Sequence, residues 1–484
     1  MHREIILGPP GTGKTTELIR RLEQAFEKGL EPERVAYLAF TKKAADVAIS
    51  RATAHFGFGR QRFPYFRTIH SLAYHENGVS SDSVMRTSHY KELGLIHGWD
   101  FQASYEKMEE RPNYGAGLGD QLLRCYDLAK AKGMSMMEEA RADDYQFSQF
   151  AAQKFEQQIE AYKSRYGLQM FNDFLDTPVV LDVDLVIIDE AQDLTHLQWQ
   201  FLRRSFKKTP TVLIAGDDDQ CIYQWSGADL NYFLNLEAKN TVLGQSHRCD
   251  EEIWKVANRI SQLIGRRYHK DWKPVRSGGK VLARRDPFDV DITKGEWMIL
   301  VRKNKILSRY YKLCMNAGRI FHDGTMWVNE QRWFRAMLTY QALQRGDMIN
   351  AWEATNLVRY CGYASKKVEQ NDYFWEDFNW QLDRFTSWHA ALDGLNYVQR
   401  KFIDSCIAKG EDLVKPGTLR LSTIHAAKGG EADNVMLDMR LDGIPLKQFK
   451  RDPDAERRVW YVGVSRARHQ LVMTGGVKNE AINI

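Results

Sequence analysis

"REIILGPPGTGKTTELIRRLEQAF", residues 3–26, decides the fold. A short apolar run, a glycine-rich turn and an amphipathic helical stretch follow one another without a break. Gly8, Gly11, Gly13, Lys14 and Thr15 satisfy G-x-x-x-x-G-K-[ST]. In such a loop the backbone N–H groups converge on phosphate oxygens, and the helix N-terminus adds its partial positive charge. The whole stretch Gly8, Pro9, Pro10, Gly11, Thr12, Gly13, Lys14, Thr15 and Thr16 is therefore the expected nucleotide cradle. Lys14 is expected to reach the β- and γ-phosphates, and the Thr15 hydroxyl to hold Mg²⁺. The strand–turn–helix context separates this match from a chance one. It marks an NTPase and leaves open what the energy does.

A second acid cluster supplies the rest of the chemistry. "VDLVIIDEAQDLT" (183–195) is an apolar run, Leu185 to Ile188, that ends in Asp189 and Glu190. Such a run fits a strand buried on both faces of a parallel sheet, with its acids at the carboxyl edge where ligands bind. Asp189 is expected to take the Mg²⁺, and Glu190 to orient and deprotonate the attacking water. A lone Asp-Glu pair is ordinarily a solvated strand end; the phosphate loop makes these two functional. A third acidic stretch, "AGDDDQCIYQWSGAD" (215–229), sets Asp217, Asp218 and Asp219 just ahead of Tyr223 and Trp225.

Composition bounds the remainder. The 484 residues are too many for one core, and 43% hydrophobic content is ample for two to four. A formal charge of +5 permits an anionic partner without proving one. The six cysteines are scattered with no C-x-x-C pair, which favours a reducing compartment over a disulfide or zinc framework. No signal-like segment or bilayer-length apolar run is present, so the expectation is a soluble, cytoplasmic protein with no membrane partner.

Nine stretches in order carry a family resemblance: "LGPPGTGKTT" (7–16), "AFTKKAADVAISR" (39–51), "TIHSLAY" (68–74), "IIDEAQDLT" (187–195), "AGDDDQCIYQWSGAD", "QSHRCDEEI" (245–253), "ILVRKN" (299–304), "STIHAAKGGEADNVML" (422–437) and "ERRVWYVGVSRARHQL" (456–471). Together they resemble the superfamily 1 DNA helicases of the UvrD/Rep/PcrA type and span nearly the whole chain. The resemblance implies an α/β fold of two RecA-like P-loop motor domains, each with a mainly helical insertion, and ATP with Mg²⁺ as cofactors. Lys14, Thr15, Asp189, Glu190 and Gln220 would act from the first motor domain. Arg248 and Arg466 match the two family arginines that put cations on the γ-phosphate, and Glu431, next to Gly430, matches the ribose-binding glutamate. Phe40, His70 and Trp225 match positions along the DNA strand, with Tyr223 beside them and Thr68 and Thr423 as phosphate contacts. Aromatic stacking suits sequence-independent tracking, because every base has a π-face. An isolated arginine or tryptophan would ordinarily be read as surface or packing; the ordered context changes that reading.

The sequence departs from the family around the base. The strand expected from about Arg3 leaves no room for the family's glutamine segment ahead of the loop, His247 stands where the family usually has an aromatic, and Thr16 where it often has an arginine. Weaker adenine discrimination is the expectation. Gly430 and Ala432 replace Leu and Phe, which predicts looser packing under that loop.

The motifs divide the chain into a first motor domain (1–73 and 172–240) with a helical insertion (74–171), and a second (241–304 and 418–484) with a reduced, Trp-rich insertion (305–417). For that insertion a small core using Trp for area is preferred over a duplex-facing or partner-binding element. The resulting expectation is an ATP-dependent single-stranded DNA translocase and helicase, moving 3′ to 5′ and acting at single-strand/duplex junctions. The alternatives are a translocase that displaces proteins without unwinding, an ATP-switched binding module of a larger complex, and an RNA-tracking enzyme. "AGDDDQCIYQWSGAD" is expected to join two sites, Asp217 near the Mg²⁺ and Gln220 sensing the γ-phosphate at one end and Trp225 on DNA at the other.

Overall fold

The strand His2–Leu7 (β1) buries its last four residues, Glu4 to Leu7, next to the edge of an all-parallel sheet. In a computed structural model, which describes residues 2–102, 117–142, 145, 147–366 and 371–475, the chain forms two compact units: 1–247 with 265–275, and 248–264 with 276–484. In the first, β1 is joined by Val35–Ala39 (β2), Tyr65–Thr68 (β3), Leu185–Ile188 (β4), Thr211–Gly216 (β5) and Lys239–Val242 (β6). The order is β3-β2-β4-β5-β1-β6, and every pairing is parallel. Successive side chains point to opposite faces. Ile6, Tyr37, Ile187 and Leu213 therefore pack under the helices Lys14–Glu27 and Lys42–Phe56. Ile5, Leu38, Ile188 and Ile214 pack against Ile69, Trp199 and Phe233 on the other face. Two covered faces explain why β2, β4 and β5 read as continuous apolar runs.

The first insertion is a separate helical module. Met85 N donates to Gln169 O and Gln169 N to Ser83 O, so the chain leaves and re-enters side by side. Its helices Thr87–His97, Leu118–Lys132, Met136–Ala142 and Gln149–Tyr166 enclose Leu93, Leu122, Phe155 and Ile159. Ser148 caps the last of these by accepting from Ala151 N at 3.1 Å, the usual service of a hydroxyl at that position. Part of the expected insertion, including 103–116, lies outside the described residues, as does the expected tail from 476 onward.

The second unit has its own six-stranded parallel sheet, ordered Phe321–His322, Leu419–Thr423, Trp297–Val301, Ala432–Asp438, Ala467–Thr474, Lys280–Ala283. Two boundaries differ from the sequence reading. Residues 241–247 and 265–275 belong with the first unit: β6 runs to Val242, and Gln245–Ser246 pairs with Lys273–Pro274. The helix Asn304–Ala317 and the strand Phe321–His322, placed in the second insertion by sequence, form a crossover into the sheet, because Tyr310, Leu313 and Cys314 bury against it. Beyond that strand the aromatic segment shares one core with the sheet: Trp333 and Trp388 are buried, and Trp375 stacks on Trp380 at 4.0 Å. Trp352 is exposed. Among the described residues no helix is long and apolar enough to cross a membrane.

Phe155 is fully buried between the edges of Trp99 and Tyr126. Phe155→Ala should cost the helical module about 3–5 kcal/mol through lost burial and the cavity left behind. Hydrogen exchange of amides in Leu118–Lys132 and Gln149–Tyr166 measures this; unchanged protection there would contradict the packing described.

Candidate nucleotide site and the loop behind it

The phosphate loop follows β1 at the carboxyl edge of the sheet. Gly11 and Gly13 have φ of 73° and 79°, which side-chain-bearing residues rarely adopt. At Gly8 the constraint is close approach: a Cβ there would sit 1.9 Å from Lys14 Cγ. The lysine folds back over the loop, and its Nζ donates to Gly8 O at 2.9 Å. Thr12 Oγ1 donates to Pro9 O, Ser246 Oγ to Pro10 O at 2.7 Å, and His247 N to Gly11 O at 2.9 Å. Lys14 opens the helix that follows, Thr15 lies in its first turn, and Thr16 is exposed there.

Asp189 emerges from β4 two strands away. It is buried; its Oδ2 accepts the Tyr37 hydroxyl at 2.7 Å and its Oδ1 the Glu190 N–H at 2.8 Å. Burial, and then the neighbouring Glu190 charge, hold its carboxyl above the usual range despite the Tyr37 bond. Hard oxygen donors of this kind, one carboxylate and one hydroxyl, fit Mg²⁺, which takes few protein ligands and completes its shell with phosphate and water. No group of three or more acidic, His or Cys side chains forms a metal cage among the described residues. Glu190 is the one non-glycine described residue at positive φ, 51°. Such a conformation costs about 1–3 kcal/mol and persists where surrounding contacts impose it. Its Oε2 accepts Gln192 Nε2 at 2.7 Å, and its Oε1 lies 3.7 Å from Lys14 Nζ.

Gln192, fully buried, links this strand end to the next. Its Oε1 accepts Asp217 N at 2.9 Å, and Asp217 Oδ2 in turn accepts Gln220 Nε2 at 2.7 Å. Burial alone would raise the Asp217 carboxyl. Lys270 and then Lys14 outweigh it, and Asp217 titrates below the ordinary range. The three acids are all buried and matched by bases: Lys270 Nζ meets Asp217 (2.8 Å), Asp219 (2.9 Å) and Asp218, while Arg267 grips Asp219 through two nitrogens. Gln220 is thus buried and hydrogen-bonded to an acid that two lysines influence.

Past Gln220 the chain turns outward. The Tyr223 ring stacks on Phe40 at 6.0 Å and 24°, and Trp225 is 43% exposed. Phe40 follows β2, and Thr68 ends β3 where it caps the next helix by accepting from Ser71 N. Phe40, Thr68, Tyr223 and Trp225 therefore share the carboxyl edge. His70 departs from the expectation. Its helix turns Ile69, His70, Leu72 and Ala73 inward, so the ring is buried, stacked on Phe171 at 3.9 Å and bonded to Asn172. Burial drops its pKa to about 4, so at neutral pH it is an uncharged core histidine rather than a strand contact.

In the second unit Arg248 Nε donates to Glu431 Oε2 at 2.5 Å, and Arg466 donates to Gly430 O, Val462 O and Ser465 Oγ. The four residues expected at the nucleotide from this unit are thus gathered in one place. Arg466 is buried and hydrogen-bonded within the unit, where sequence reading placed a cation facing phosphate. Thr423 ends its strand and accepts from Ala426 N. Sequence reading missed Tyr37, Ser246, Arg267 and Lys270, none of which lies at a motif position given a role. It also left Gln192 without a task, although "DEAQD" displays it.

The sequence profile of the UvrD/REP helicase N-terminal domain matches residues 2–241, and that of the UvrD-like helicase C-terminal domain matches 403–477. Among curated relatives, the chain is 23% identical to the ATP-dependent DNA helicase PcrA of Leuconostoc citreum, over 97% of this chain and 79% of that protein. It is 22% identical to the ATP-dependent DNA helicase Rep of Buchnera aphidicola, over 97% and 92%. A probable DNA helicase II homolog of Mycoplasma genitalium is 23% identical over 60% of this chain, which spans 54% of its length.

The Asp189 surroundings make a pH prediction. Protons compete with a cation for this carboxyl, so Mg²⁺–ATP affinity should fall as pH drops from about 7 to about 5. Tyr37→Phe removes a bond to the ionised form, which raises the carboxyl's pKa further and should move that fall to higher pH. Binding titrations of both proteins across this range decide it; superimposable profiles would exclude the Tyr37–Asp189 coupling.

Proposed function

The chain belongs to the UvrD/Rep helicase family, and from that premise we propose that it is an ATP-dependent motor that translocates on single-stranded DNA and unwinds duplexes, moving 3′ to 5′. One observation carries the reading: an unbroken set of hydrogen bonds runs Glu190–Gln192–Asp217–Gln220, and the same loop continues to Tyr223 and Trp225. A binding ATPase needs only the first half of that path. A motor needs a continuous element between the group that handles the attacking water and the group that touches the track.

In this mechanism the loop N–H groups from Gly8 to Thr15 bind phosphate, and Lys14 leaves Gly8 O for the β- and γ-phosphate oxygens. Thr15 and Asp189 would hold Mg²⁺, which supplies positive charge against the phosphate oxygens. Glu190, no longer held by Lys14, accepts the proton of the attacking water. Gln220 meets the γ-phosphate, and Arg248 and Arg466 offset the charge that develops on it. Glu431 takes the ribose. Trp225, Tyr223 and Phe40 offer ring faces to bases, and Thr68 and Thr423 offer hydroxyls to phosphates. Their sequence-independent character suits a track of any base composition.

The test is ATP hydrolysis with single-stranded DNA, duplex DNA and RNA, followed by strand separation on duplexes with 3′ or 5′ tails. Stimulation by single-stranded DNA and unwinding from a 3′ tail are expected; hydrolysis indifferent to nucleic acid would refute the motor reading. Lys14→Ala should lower hydrolysis at least about 100-fold, the scale of losing a principal charge-stabilising group, while strand binding survives. Trp225→Ala should keep most hydrolysis yet unwind less DNA per ATP, since a lost stacking partner is worth about 1–3 kcal/mol of grip. Unchanged unwinding would remove Trp225 from the track.

A further inference from the structure

Lys270 lies in 265–275, a segment that packs with the first unit while the chain on both sides of it belongs to the second. Its side chain is fully buried, as are those of Asp217, Asp218 and Asp219. An ammonium ion is the wrong group to bury for area alone, since each uncompensated interior charge costs several kcal/mol. Here one Nζ serves three carboxylates, and burial, which would lower its pKa, is outweighed by Asp217, Asp219 and Asp218.

Resting on the motor reading above, we propose that Lys270 is a positioning residue for Gln220. The geometry gives the reason. Asp217 has two carboxylate oxygens: Oδ1 meets Lys270 Nζ at 2.8 Å, and Oδ2 accepts Gln220 Nε2 at 2.7 Å. The ammonium occupies one oxygen and leaves the other as the only one offered to Gln220, which fixes the amide's rotation and hence the direction of its carbonyl oxygen. Asp217 Oδ1 also accepts Asp219 N at 3.3 Å, so with Lys270 in place that oxygen already has two donors. Asp218 and Asp219 have donors of their own: Asp218 Oδ2 accepts Tyr268 N at 2.9 Å, and Asp219 is gripped by Arg267. Without Lys270, Arg267 would still hold Asp219, but Asp217 would lose its ion-pair partner at Oδ1, and its carboxylate would rotate away from the other acids and take Gln220 with it.

A role through Gln220 differs from a role in stability in what a double-mutant cycle reads. The variants are K270M, Q220A and K270M/Q220A, assayed for single-strand-stimulated ATP hydrolysis, with nucleotide and strand affinities measured separately. K270M should lower kcat about tenfold or more while KM for ATP changes less than about threefold, the signature of an interaction used after binding. In the Q220A background the same substitution should change kcat less than about twofold, because its effect is already spent. K270R, which keeps the charge, should recover part of kcat. If K270M does not fold, the cycle is run on K270M/D218N, which removes one carboxylate with the ammonium. Equal losses in both backgrounds, or wild-type kcat in K270M or in K270M/D218N, would overturn the positioning role. A wild-type protein without strand-stimulated hydrolysis would overturn the motor reading itself, so the two failures are distinguishable.

Discussion

The site depends on in-register parallel pairing. β1 pairs with β5 through Leu7↔Gly216, and β4 with β5 through Ile188↔Ile214, so the phosphate loop, Asp189 and Asp217 leave the sheet along one edge. β2 pairs with β4 through Tyr37↔Ile187, which brings the Tyr37 hydroxyl to Asp189. A slip of one residue would turn the apolar side chains of a strand to the opposite face and withdraw its acid from the edge. With helices on both faces, two separate cores enforce the register at once. The chemistry is placed by apolar residues that never touch a ligand.

Charge inside the edge has to be matched locally. Three consecutive aspartates look like a solvated or metal-binding run, yet all three are interior and answered by Lys270 and Arg267. Two consequences follow from that arrangement. The loop cannot drift into solvent without separating several ion pairs at once, and Asp217 Oδ2 holds the Gln220 amide. Rigidity at the acids is what lets the far end of the loop carry exposed aromatics without losing its register to the nucleotide end.

Legibility followed sequence distance. The phosphate loop and the Asp189–Glu190 strand end were readable, because each depends on neighbours a few residues apart and on an apolar run of strand length; the division into two parallel-sheet units came from the family resemblance. The partners that complete the site come from far along the chain: Lys270 lies 53 residues from Asp217, and Arg248 lies 183 from Glu431. Nothing in "RRYHKDW" announces which acids it will meet. The strand Phe321–His322, two residues long, is too short for any period to show, so the second insertion was drawn too wide. His70 shows the converse error: resemblance assigned a surface task to a residue that its helix turns into the core. Tyr37 was hidden as an ordinary apolar member of β2, and only its hydroxyl's partner distinguishes it.

Burial also separates fixed charge from exchangeable charge. Arg248 and Glu431 pair with side chains 15% and 39% exposed, and Glu431 additionally lies 3.8 Å from Arg468. Ion pairs open to water to this degree are worth about 0–1 kcal/mol, screened by solvent and salt. A pair this exposed can open at little cost. Arg468 stays anchored meanwhile by Glu296 and Asp433. The cluster around Lys270 has no such exchange: its side chains are shut from water, and breaking one contact leaves a buried charge without a counterpart. In this chain the difference between the two kinds of charge pair is written in exposure rather than in residue type.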